Sequence, residues 1–253
     1  MKIIAAKDYA EMSRRAAALI AAQVTLKPNS VLGLATGSGP IGTYQQLIEW
    51  HTTEYLDFSQ ISTVNLDEYY GLEKTSPQSY AHFMREQLFE HINIKLENTH
   101  IPDGTNLDQQ AECARYSQLI RSLGRVDLQL LGIGHNGHIA FNEPGESFEP
   151  EVHCVGLAQQ TIEANQRFFD SIDQVPKKAY TMGIGNILKA RKILMLVSGE
   201  DKADALCQMV TGPVTPRLPA SVLQLHGDVT VVADREALAL LERQAPHLIT
   251  SHN

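Results

Sequence analysis

Residues 130–143 read LLGIGHNGHIAFNE. An apolar run empties into Gly132, Gly134 and Gly137, and His135, Asn136, His138 and Glu143 lie in the same short stretch. Imidazole and carboxylate groups this close can pass a proton between them near neutral pH, where an unperturbed histidine titrates. The same residue types ligate metals. However, the spacing is not HExxH and no third ligand stands out, so the expectation is a metal-free relay in which Glu143 orients or charges His138. For His135 a solvent-facing or packing role is expected.

A second candidate is Thr36-Gly37-Ser38-Gly39-Pro40, between an apolar run and a helical pattern. Glycines there free successive backbone N–H groups, and a helix start adds positive potential, a combination that suits phosphate. The loop is neither GxxxxGK[ST] nor GxGxxG, which argues against a nucleoside triphosphate or dinucleotide site. An ordinary glycine turn is the structural alternative. Asp67 and Glu68 follow the apolar run 61–66. Carboxylates at a strand end serve as a general base, a metal ligand or a cap on the next element. Arg167 and Lys202 are candidate phosphate partners, one as a planar fork and one as a point charge. Lys202 falls in the first turn of an expected helix, where a cation is disfavoured unless an anion is near, although a solvated lysine is the commoner case. No GxSxG elbow occurs, and no cysteine sits beside a catalytic-looking histidine.

Strands must bring these residues to one edge. Short apolar runs are expected as strands at 2–5, 31–35, 61–66, 126–133, 152–157, 180–184, 192–197 and 229–233. Helical spacing places helices at 9–26, 76–91, 108–123, 201–210 and 235–243, another after Pro40, and short ones at 186–189 and 219–225. Asp8 is the expected N-cap of the first helix, with Glu11 as its capping-box partner. Residues 161–169 read as part turn, part helix, and the tail after Pro246 as frayed. Strands alternating with helices along the whole length predict one α/β domain over 1–253, Rossmann-like, with a mostly parallel sheet covered by helices on both faces. In such sheets ligands bind beyond the C-terminal strand ends, where Thr36, Asp67 and His138 are expected to fall.

Bulk properties narrow the function further. A chain of 253 residues, 43% hydrophobic, suits one large domain. The net charge of −8, with no basic tract, argues against nucleic acid. Cys113, Cys154 and Cys207 are odd in number and form no CxxC, so neither a disulfide framework nor a cysteine zinc site is expected. No signal-peptide pattern and no membrane-length apolar run is present, and a cytoplasmic enzyme is the expectation.

The segments LGLATGSGP (32–40), NLDEYYGL (65–72), GIGHNGHIAFNEPG (132–145), ANQRFF (164–169), SGEDKADAL (198–206) and LQLH (223–226) together resemble the glucosamine-6-phosphate deaminase family. They come in the family's order and span nearly the whole chain. The resemblance implies conversion of D-glucosamine 6-phosphate and water to D-fructose 6-phosphate and ammonia, in amino-sugar catabolism and without a cofactor. It implies Asp67 as the enolisation base and His138 in ring opening, with Glu143 and Asn136 in support. Thr36, Gly37, Ser38 and Gly39, with Arg167 and Lys202, would hold the phosphate.

Two departures shape the expectation. Some members carry Asp where this chain has Asn136, so Asn136 is expected to position rather than take a proton. Glu151, His153 and Val155 stand where allosterically activated members carry basic residues that bind N-acetylglucosamine 6-phosphate, and Glu163 stands in place of an Arg. With the short C-terminus, they point to a non-allosteric monomer or small oligomer. The rivals are 6-phosphogluconolactonase, whose GxGxDGHxASLFP pattern differs, a deaminase or isomerase for another hexosamine 6-phosphate, and a catalytically silent sugar-phosphate sensor.

Overall fold

The structure is a computed structural model describing residues 1–53, 56–166, 169 and 171–250. Its main body is an eight-stranded sheet in which every neighbouring pair is parallel. The strands are β1 (Lys2–Ala6), β2 (Val31–Leu34), β3 (Ser62–Asn65), β5 (Thr99–His100), β6 (Leu128–Gly132), β9 (Lys192–Val197), β10 (Val229–Asp234) and β11 (Ile249–Thr250). Their order is β11-β1-β10-β9-β6-β2-β3-β5. The central strands are apolar on both sides, as burial between two helical layers requires: Leu130, Leu131, Ile193, Leu194, Met195, Val231 and Val232 are all buried.

The helices that frame the site form where local signals are strong. The first, α1 (Tyr9–Leu26), has Asp8 as its N-cap, accepting from Glu11 N at 2.8 Å. Glu11 returns the contact to Lys7 N at 2.8 Å, one residue earlier than a standard capping box. Helix α2 (Ile41–Thr52) starts directly after the glycine loop. Helix α3 (Tyr80–Gln87) begins later than the expected 76, because residues 76–79 form a turn and Ser79 supplies the cap, accepting from His82 N. Helix α4 (Gln109–Ser122) starts one residue after the expected 108, because Asp108 caps it, accepting from Ala111 N. Helix α5 (Gln159–Asn165) resolves the ambiguous 161–169 stretch in part. Helix α6 (Ile184–Leu188) is short, α7 (Ala203–Thr211) follows a 3-10 turn over 200–202, and α8 (Arg235–Gln244) is capped by Asp234. The 219–225 segment is 3-10 rather than α.

Two features depart from the sequence expectation. A second sheet, antiparallel in the order β4-β8-β7, consists of β4 (Asp67–Tyr69), β8 (Lys178–Thr181) and β7 (His153–Gly156). The expected strands near 152–157 and 180–184 therefore leave the main sheet. Beneath this small sheet lies its own apolar cluster, with Tyr69, Phe141, Leu157, Ile162, Val175 and Ala179 buried. The tail, expected to fray, turns at 246–248 and adds β11 beside β1, pairing Ile3 with Ile249.

Candidate active site

A cavity of about 650 Å³ opens at the C-terminal edge of the main sheet. Thr36, Gly37, Ser38, Gly39, Asp67, His138 and Lys202 all line it. Arg167 lies outside the described residues.

One wall is the loop between β2 and α2. Gly37 has φ +87°, a conformation that glycine adopts without strain. Pro40, the N-cap of α2, makes no side-chain capping bond, and proline has no N–H of its own. Residues 37–39 and the start of a twelve-residue helix therefore line the cavity, a local surface of a kind suited to an anion despite the acidic total.

Asp67 enters from the first position of β4. It is only 6% exposed. Burial, and then the neighbouring Glu68 charge, push its carboxyl up to about 8. A base raised this far is stronger than a free carboxylate once ionised. Glu68 points elsewhere. Its carboxylate accepts from Tyr69 N, Tyr80 N and Ala81 N at 2.8, 2.9 and 2.8 Å, so it caps the start of α3. Of the roles open to the two carboxylates, the geometry gives the cap to Glu68 and the cavity to Asp67.

The opposite wall is the 133–143 loop. Gly134 is required there, because an added Cβ would sit 2.2 Å from His138 Cε1. His138 Nδ1 lies 3.4 Å from Glu143 Oε2, an ion-pair contact whose angle falls short of a hydrogen bond. Glu143 Oε2 accepts from Asn136 Nδ2 at 2.8 Å, and Oε1 accepts from the Thr161 hydroxyl. Asn136 Oδ1 in turn accepts from His138 N at 3.1 Å. Burial alone would raise the Glu143 carboxyl, but the His138 ring, the Thr161 hydroxyl and the Asn136 amide outweigh it and hold it at about 2. Glu143 is therefore an anion throughout the physiological range. Glu143 is bonded to two groups of the cavity wall, contacting His138 and accepting from Thr161. Ala140, at the turn closed by Asn142 N to Ile139 O, has φ +51°, a strained value for a residue with a Cβ.

The loop is held from a distance. Ala220 N donates to Gly137 O at 2.9 Å, Gly145 N donates to Pro216 O at 3.0 Å, and Leu218 packs against Gly137. Lys202 sits at the end of the 3-10 turn rather than inside an α-helix, 2.8 Å from Asp201. Its loop is fixed by buried Asp234, which accepts from Ser198 Oγ at 2.5 Å and from Gly199 N at 3.2 Å. His135, expected to face solvent or to pack, is exposed but also forms part of the cavity wall, its ring 6.5 Å from that of His138. The sequence reading missed Thr161, Tyr80 and Asp234. Only Asp234 carried a local signal, as the residue before a helical pattern.

An anion loop, a buried carboxylate and a histidine–carboxylate pair around one cavity define an acid–base enzyme acting on a phosphate-bearing small molecule. The comparisons with known proteins agree. The family model described as glucosamine-6-phosphate isomerases/6-phosphogluconolactonase matches residues 5–232, and the chain belongs to that family. It is 59% identical over 232 residues to a glucosamine-6-phosphate deaminase of Lachnoclostridium phytofermentans, covering 92% of this chain and 98% of the relative. It is 53% identical to the deaminase of Halothermothrix orenii, covering 95% and 100%. A solved structure of a monomeric glucosamine-6-phosphate deaminase superposes with a TM-score of 0.93 at 52% identity, covering 95% of this chain and all of that one. The 6-phosphogluconolactonase of Trypanosoma brucei superposes at 0.79 with 20% identity, a likeness of fold alone.

Proposed function

We propose that the chain is a glucosamine-6-phosphate deaminase, converting D-glucosamine 6-phosphate and water to D-fructose 6-phosphate and ammonia. The observation that carries this reading is the buried Asp67 carboxyl facing the same cavity as the glycine loop and His138. Removal of a C2 proton needs a base of this kind held inside the cavity.

The chemistry follows from the layout. The N–H groups of 37–39, with Lys202 and Arg167, hold the phosphate, which is remote from the reacting carbons and supplies orientation. His138 takes the proton from the anomeric hydroxyl and returns one to the ring oxygen, opening the sugar. Anionic Glu143 stabilises the imidazolium formed on the way, while Asn136 keeps Glu143 and the His138 backbone in place. Asp67 then removes the C2 proton, now acidic beside the open aldehyde, and delivers it to C1. The resulting C2 imine is hydrolysed by water to ketone and ammonia. Water adds to the imine carbon to give a carbinolamine, ammonia leaves as the C–N bond breaks, and no step calls for a redox group.

Three finer points belong to the same proposal. The enzyme works in the cytoplasm and as a monomer or small oligomer, a state supported by the neighbour described as monomeric. It is not activated by N-acetylglucosamine 6-phosphate: Glu151 is engaged by Lys189 at 3.3 Å and by Arg121 at 3.7 Å, and Glu163 by Gln159 at 2.9 Å. Among the described residues no helix is long and apolar enough to cross a membrane. The deciding experiment measures ammonia and fructose 6-phosphate released from glucosamine 6-phosphate, with 6-phosphogluconolactone and galactosamine 6-phosphate alongside. Absence of turnover with the first substrate overturns the reading. A velocity curve that is sigmoidal until N-acetylglucosamine 6-phosphate is added overturns the non-allosteric part.

A further inference from the structure

Tyr9 is the first residue of α1, a helix that supplies none of the residues assigned above. It nevertheless lines the cavity. Its hydroxyl donates to Ser38 O at 3.1 Å and accepts from Gly42 N at 2.9 Å. One of those atoms lies in the glycine loop, and the other in the first turn of α2. A helix start leaves its first N–H groups without intrahelical partners, and Pro40 offers no side-chain cap. The phenol therefore bridges the loop to the helix across the Gly39-Pro40 turn. The approach is a close one: a Cβ on Gly42 would lie 3.0 Å from Tyr9 Cε1 and 2.6 Å from Ser13 Oγ. Glycine at 42 is what lets α1 come this near.

We propose that Tyr9 is a positioning residue for the loop that grips the substrate's phosphate. It fixes the separation between Ser38 and the start of α2, so that the free N–H groups between them converge on one anion before the anion arrives. A loop that ordered itself only on binding would lose affinity to that ordering. The inference rests on the assignment of residues 36–39 to phosphate.

The test is Tyr9→Phe, which keeps the ring and removes both hydrogen bonds. Steady-state rates with glucosamine 6-phosphate are combined with competitive inhibition by inorganic phosphate. KM and the phosphate inhibition constant should both rise roughly five- to tenfold, with kcat within about twofold of the parent. Ser13→Ala, which removes a buried hydroxyl at the same helix contact, should leave all three constants as they were. Thermal unfolding of both variants confirms that each is folded. An unchanged KM and inhibition constant in Tyr9→Phe overturns the proposal. So does a fall in kcat with both constants unchanged, which would place Tyr9 in the chemistry. Failure of phosphate to compete with substrate on the parent enzyme overturns the loop's assignment, and the role of Tyr9 with it, before any variant is made.

Discussion

Asp67 and Glu68 are consecutive on one three-residue strand and face opposite ways. Asp67 meets the cavity, while Glu68 accepts three backbone N–H groups at and before α3. The N–H donors offset part of the cost of burying Glu68. Asp67 carries its burial cost with its carboxyl raised to about 8, and that difference is what makes it available as a base.

Asp67→Asn should lower kcat by about 10²- to 10⁴-fold, leave substrate binding in place and stop exchange of the C2 proton with solvent. Retained exchange would show that another group is the base. The variant should also be the more stable protein at alkaline pH. Asp67 titrates higher in the folded chain than in the unfolded one, so its contribution to stability is present below about pH 4 and lost as pH rises through about 8. Free energies of unfolding should coincide at pH 4 and diverge by about 1–3 kcal/mol at pH 9, in favour of Asn.

The same shift governs the rate. Asp67 must be ionised to accept a proton, so kcat/KM should climb with pH along an acidic limb centred near 8. A limb centred in the ordinary carboxylate range would mean that Asp67 is not raised in the free enzyme. Initial rates at low substrate across pH 5–10 decide it.

Asn136→Asp would replace the amide that donates to Glu143 Oε2 with a second carboxylate. Two carboxylates at that distance share a proton, so the Glu143 carboxyl, now held at about 2, should rise. The expected outcome is a second ionisation in the kcat profile, absent from the parent. In the parent, Glu143 adds stability that is present above its unfolded value near 4.5 and lost as pH falls toward 2. Glu143→Gln should flatten that acid limb of the stability curve and slow ring opening.

Thr161→Val keeps the shape of the side chain and deletes the hydroxyl that reaches Glu143 Oε1. kcat should fall about tenfold, with KM little changed, while Thr161→Ser should stay near the parent. A loss in Thr161→Ser with none in Thr161→Val would mean that the methyl group, not the hydroxyl, matters.

Gly134→Ala tests the wall behind His138. The new Cβ would overlap the imidazole, and the ring is less costly to move than the backbone of the loop. Activity should fall by at least about 100-fold with the fold intact by circular dichroism.

Much of this arrangement was legible in the sequence because its signals are local. Asp8 caps α1, and the buried strands announce themselves as apolar runs. Asp67, His138 and the glycine loop follow such runs directly, so their shared edge could be inferred. What escaped depends on partners remote in the chain. A cap was among the roles open to Asp67 and Glu68, but which of them takes it is decided by a helix that starts twelve positions later. Thr161 meets Glu143 across eighteen positions, and Asp234 meets Ser198 across thirty-six. The small sheet escaped because β4 has three residues and pairs with β8, far downstream, so no periodicity marks it. Its strands look like any half-buried strand and carry no label of the sheet they join. Tyr9 reads as an ordinary first residue of an amphipathic helix, and only the approach of Gly42 gives it a further role.

The latch of 215–220 on the histidine loop has a consequence for how activity is acquired. Gly137 and Gly145 are tied to Ala220 and Pro216, which follow β9 and α7 in the chain. The glycine loop after β2 and the β4–β8 pair that places Asp67 both precede that segment in the chain, but the wall holding His138 is not closed until the later segment has docked. Contacts so distant along the chain form late, because a long loop must close before they reward it. On refolding, turnover should return with the slowest phase rather than with the first gain of helix.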